Sequence, residues 1–145
     1  SVIVAGLILS SGISHALDVY NRRTTASVPL SASGGVFTTI IQIAIPAGTW
    51  RVLGKASVVN FGAADYARCV TRSGVTQIDA SATMIGEAGG MPSVATITNI
   101  GVITTTATTV FSLLCIHDSP VAGMYVDPEA KLNVERVSSG TYIIN

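Results

Sequence analysis

From residue 25 onward, apolar and polar positions alternate with a period of two through much of the chain. Residues 49–60 give the clearest case. Trp50, Val52, Gly54, Ala56 and Val58 share one face, and Arg51, Leu53, Lys55 and Ser57 share the other, which predicts a half-buried strand. Near the end of the chain Leu132, Val134 and Arg136 alternate with Asn133 and Glu135. Within residues 107–117 both parities turn apolar after Val110, predicting a strand covered on both faces.

Turn residues divide the remainder into similar runs. Gly34-Gly35, Pro46-Ala47-Gly48, Asn60-Phe61-Gly62 and Ser73-Gly74 act as punctuation. Strands are predicted at 25–30, 36–45, 49–60, 65–72, 75–81, 94–104, 107–117, 121–126 and 130–138, with 85–92 as a mobile loop. Val, Ile and Thr make up roughly a third of the residues, the β-branched enrichment that strands favour. Only residues 14–23 hold a pattern fit for a helical turn or two. The expected fold is all-β, a jelly-roll β-sandwich of about nine antiparallel strands. With no helices to cover the sheets, the sheets must cover each other. Residues 1–24 read as an extended amino-terminal arm and linker, and 25–145 as the folded body.

Composition adds a statement about the surface. The chain has 145 residues, of which 48% are hydrophobic and only 11% charged, with eight basic side chains against eight acidic ones. A typical soluble domain carries roughly 25% charged residues. Zero formal net charge argues against a nucleic-acid or acidic-membrane partner, which requires a basic face. So few ions protect the molecule poorly against association, so much of its surface is expected to meet other protein.

The amino-terminal run deepens this expectation. Residues 2–9 are apolar apart from Gly6, and no Lys or Arg precedes them, so the positive region of a signal peptide is missing. The run is also far shorter than the roughly 20 residues that span a bilayer. An arm of this kind needs a partner to bury it, and burial releases on the order of 5–10 kcal/mol before ordering costs. Cys69 and Cys115 are read first as small buried apolar residues and second as a disulfide between neighbouring strands. No Asn-x-Ser/Thr acceptor occurs.

Residues 45–60 (IPAGTWRVLGKASVVN) carry a resemblance. An apolar strand, Pro-Ala-Gly and an aromatic-led strand follow one another. Residues 67–70, Ile78-Asp79, residues 109–115 and residues 130–134 continue in the same order. The pattern resembles the jelly-roll heads of the tumour-necrosis-factor and complement-head class, which also occur in tailed phages. Under the signature lies a physical reason: Pro46 ends ladder pairing, Gly48 tolerates a positive φ, and Trp50 or its neighbours plug the sandwich end. The resemblance implies a homotrimer within a virion, as a decoration (cement) protein bound to the major capsid (coat) protein. It was made, on this reading, in the host cytoplasm. Val2, Ile3, Val4, Leu7, Ile8 and Leu9 of the arm, with Arg22 and Arg23, are expected at the coat contact. Phe37, Phe61 and Tyr66 are expected between subunits of the trimer. Two alternatives stand beside it: a tail-tip or head-fibre module that meets a host glycan through aromatics such as Tyr125 or Trp50, and a secreted surface domain cleaved after Ala16.

Motifs for chemistry are thin. Gly12-Ile13-Ser14-His15-Ala16 approximates a nucleophile elbow but lacks its final Gly and any α/β context. His117, Asp118 and Asp127 lack metal-site spacing, and Asp118 is expected to cap the bend before Ser119-Pro120. Asp79 is expected to accept hydrogen bonds from neighbouring backbone or from Arg68 or Arg72. Residues 86–90 are Gly-rich but lack the Lys-Ser/Thr of a phosphate loop. No enzyme activity, catalytic residue, cofactor, metal, nucleic acid or membrane partner is expected.

Overall fold

A computed structural model describes residues 18–86, 93–119 and 123–137. Its ten strands are β1 (Val19–Arg23), β2 (Val28–Pro29), β3 (Thr38–Ile45), β4 (Gly48–Asn60), β5 (Asp65–Ser73), β6 (Thr76–Ile85), β7 (Ser93–Thr105), β8 (Thr109–His117), β9 (Met124–Val126) and β10 (Lys131–Arg136). Among the described residues there is no helix. The strands form two antiparallel sheets, and the fold is an all-β sandwich.

The first sheet is organised by β4, whose thirteen residues all pair with β7 along one edge. Its other edge is shared by β10, opposite residues 50–55, and β9, opposite residues 58–60. β1 extends this sheet beyond β10, and β2 extends it beyond β9. The second sheet runs β3-β8-β5-β6.

Alternation in β4 matches the sequence pattern: Trp50, Val52, Gly54, Ala56 and Val58 are buried, while Arg51, Leu53 and Lys55 are exposed. From the second sheet Ile41, Ile45, Phe111, Leu113 and Cys115 meet them in one core. The two sheets approach closely at Gly54, where a Cβ would lie 2.6 Å from Thr71 Cγ2. Any larger side chain there would push the layers apart. On β8, the outward positions Ser112 and Leu114 are only half-buried, and full cover begins at Ile116.

Trp50 closes one end of the sandwich, fully buried, with Nε1–H donating to Pro46 O at 3.1 Å. Tyr20 meets the indole edge to face at 5.6 Å, and the Arg136 guanidinium lies 4.4 Å from its ring centre. Gly48 makes room for this lid, since a Cβ there would sit 2.5 Å from Arg136 Nη1.

Four expectations change. Residues 19–23 are a strand, not a helical turn, and β1 is hydrogen-bonded to β10 although it falls in the stretch read as arm and linker. Pairing with an exposed edge, plus the contact of Tyr20 with Trp50, outweighs the weak helical pattern. β6 continues to a buried Ile85, a residue expected in the loop that follows, and residues 87–92 lie outside the described residues. Cys69 and Cys115, directly opposed in the β5–β8 register, form a disulfide. The bend after β8 is capped by Asp65, not Asp118: the Ser119 N–H donates to both oxygens of Asp65 at 3.1 Å.

Candidate functional site

The two open sides of the sandwich are closed differently. On one side, β6 and β7 lie edge over edge, and Asp79 Oδ2 accepts a hydrogen bond from the Ile100 N–H at 2.8 Å. A carboxylate thereby occupies a donor that another chain's strand would use. Asp79 has the backbone-accepting role expected of it.

On the other side β1 faces β3. Arg22 and Arg23 stand on β1, and the two diverge because neighbouring strand residues point to opposite faces. Arg22 reaches across the sandwich, its Nη1–H donating to Gln42 O of β3 at 2.8 Å. Arg23 turns outward and pairs with Glu129 at 2.8 Å, both side chains more than half exposed. The expected arginine pair is therefore already engaged within the chain, one member on each side of the sheet.

Beside the Arg22 bridge lies an open groove of about 550 Å³ between residues 22–28 and residues 39–42. Ile40 and Ile41 form its buried floor, and Thr25, Ser27 and Gln42 contribute polar walls. β3 is the last strand of its sheet, and its pairing with β8 is irregular between Thr39 and Ile41. Free edge groups, hydroxyls and an apolar floor suit an extended peptide better than a reacting small molecule. The sequence concealed this site because residues 25–27 read simply as the start of a strand and Thr24 as the end of the linker.

A buried polar cluster stands where β5 begins and β8 ends. His117, 1% exposed, lies 3.0 Å from Asp65 Oδ2 through Nδ1 and 2.5 Å from Ser31 O through Nε2. A carbonyl only accepts, so Nε2–H donates to Ser31, and one proton lies between Nδ1 and the carboxylate. Asp65 also accepts from the Tyr66 N–H at 2.7 Å. This cluster pins the segment leading into β3 to the ends of β5 and β8. Among the described residues no group of three or more His, Cys, Asp or Glu side chains converges as a metal site would require.

The three aromatics expected at a trimer contact fall into two places. Phe37, just before β3, lies under the Arg72 guanidinium at 4.6 Å, and Tyr66 of β5 under that of Arg68 at 5.4 Å. Phe61 instead stacks on Tyr125 of the first sheet, with ring centres 5.9 Å apart. The arm residues Val2, Ile3, Val4, Leu7, Ile8 and Leu9 lie outside the described residues.

No protein-family model matches the sequence, and no curated protein matches it. Solved structures do resemble the fold. The VP2 subviral particle of infectious bursal disease virus superposes with a TM-score of 0.53 at 16% identity, over 92% of this chain and 37% of that one. The T=1 particles derived from infectious bursal virus give 0.54 at 18% identity, over 92% and 36%. The Gx strain of the same virus gives 0.51 at 16% identity, over 95% and 39%. This chain thus spans somewhat over a third of the length of the chains it matches. At such identities the likeness concerns the fold.

Proposed function

We propose that the chain is a structural virion protein, a decoration (cement) subunit that binds the major coat protein of a tailed phage head and reinforces it. The observation that carries this reading is the likeness of nearly the whole chain to particle-forming viral chains. Composition supports it, because a chain with only 11% charged residues presents few ions and is suited to being covered by protein. The edge of β3 beside the Arg22 bridge supports it further: a neighbouring chain's strand can add backbone hydrogen bonds along the part of β3 that Arg22 leaves open while burying side chains against Ile40. Kinship with the tumour-necrosis-factor and complement-head class, and with it a homotrimer, belongs to the same proposal.

In this mechanism the subunit does no chemistry. Arm residues 2–9 bury their apolar side chains on the coat, Arg22 and Arg23 sit where the arm meets the body, and many weak contacts act together. Deleting residues 1–10 is expected to leave the body folded by circular dichroism but to abolish attachment to empty heads, seen by imaging particles with and without the subunit. Full attachment by the truncated chain would remove the arm from the mechanism.

One observation favours a second reading, a fibre module for a glycan. Phe61 is 61% exposed and stacked on Tyr125, a platform on which a sugar ring can rest. Trp50, the other aromatic considered for that role, is fully buried. Glycan-array binding lost in Phe61→Ala and Tyr125→Ala would favour the fibre reading over decoration.

A further inference from the structure

The chain contains only two lysines, and the fold places them side by side. Lys55 of β4 and Lys131 of β10 are direct partners in the antiparallel register, and Arg23 of β1 is the next partner of Lys131. Gly54, Ala56 and Leu132, their neighbours along the strands, are buried, so both lysines project from the outer face of the first sheet. In an ion-poor molecule, three of eight basic residues thus form one row, which continues to Thr98 on β7.

Among the described residues no carboxylate lies within ion-pair distance of either lysine. Arg23 is held by Glu129, and Glu135, further along the sheet, is held by Arg51 and Asn133. Asp127, just beyond β9, meets the sheet through its N–H, which donates to Ser57 O. Neither lysine makes a hydrogen bond or ion pair among the described residues. Like charges directly opposed across strands repel, so this arrangement works against the isolated fold.

The adjoining row has a different chemistry. Leu53 and Ile100 are direct partners, 37% and 60% exposed, and Asn133 lies opposite Leu53 on the other side. The face therefore offers an exposed apolar pair immediately beside a cationic pair with no ion-pair partner among the described residues. Nucleic acid would use a longer basic stripe and no aliphatic row. A protein segment carrying carboxylates next to apolar side chains complements both rows at once.

We propose that the outer face of the β1–β10–β4–β7 sheet, centred on Lys55 and Lys131, docks a protein segment whose carboxylates flank apolar side chains. The proposal holds whether or not that partner belongs to a virion, and it is tested without particles. The full-length protein and its Lys55→Gln/Lys131→Gln variant are compared in two measurements. The first is thermal melting, where removing the repulsion is expected to leave the midpoint unchanged or raise it. The second is fluorescence anisotropy with labelled peptides of alternating Leu and Glu, alternating Leu and Gln, and Glu alone, and with a single-stranded oligonucleotide. The native protein is expected to bind the Leu-Glu peptide about fivefold or more tightly than either other peptide, with a preference that fades in high salt. The double variant is expected to lose that preference, and Leu53→Ser to weaken Leu-Glu binding while leaving the Glu-only peptide unaffected. A lower melting point in the double variant, unchanged peptide binding, or tightest binding to the oligonucleotide would each overturn the proposal.

Discussion

Asp65 and His117 stand 3.0 Å apart inside the sandwich, at the start of one strand and the end of another that pairs with it. Through Ser31 and Ser119 they tie two connecting segments to the core.

Because the cluster is buried, removing one member strands the other. His117→Ala is expected to lower unfolding free energy by about 2–4 kcal/mol in urea titrations. Asp65→Asn is expected to be milder than Asp65→Ala. An Asn can still accept from the Tyr66 and Ser119 N–H groups and donate to Nδ1 of the neutral ring that already donates to Ser31. Equal losses in the two variants would contradict this account of the proton.

The Cys69–Cys115 disulfide closes a separation of 46 residues between fully buried positions. The loop-closure entropy of such a link in the unfolded chain corresponds to about 4 kcal/mol. The Cys69→Ala/Cys115→Ala variant is expected to keep its strand spectrum and unfold at markedly lower denaturant. An unchanged midpoint would mean that the bond contributes little beyond what packing supplies.

Glu135 is held below the ordinary carboxylate range, first by its hydrogen bond from Arg51 and then by that from Asn133. A carboxylate with a depressed folded-state pKa contributes stability above its unfolded value and loses it as pH falls through the folded one. An NMR titration should therefore find Glu135 titrating below a free Glu, and Arg51→Ala should move it back up. Acid should weaken this corner of the first sheet only below the usual carboxylate range.

Asp79 shields a backbone donor of β7 at the β6–β7 side. Asp79→Ala is expected to cost about 1 kcal/mol in stability and to promote association, read as increased light scattering at high concentration. A variant as monodisperse as the native protein would show that this edge is protected by something else.

Period-two alternation in residues 49–60 and 131–136, with turn residues dividing the rest of the chain, was enough to predict the fold class and most strand positions. Side-chain burial in a sheet follows the pleat, and the pleat is local. The plug formed by Trp50 after Pro-Ala-Gly was legible for the same reason: its hydrogen bond reaches only to Pro46. Tertiary structure alone decided what depends on pairing across long separations. β1 became a strand through β10, Cys69 met Cys115 through the β5–β8 register, and Asp65 took the cap that Asp118 suggested locally. The groove beside Arg22 and the opposed lysines arise in the same way, from strands distant in the chain. A one-residue change of register would move every such side chain to the other face, so composition and spacing could not place them.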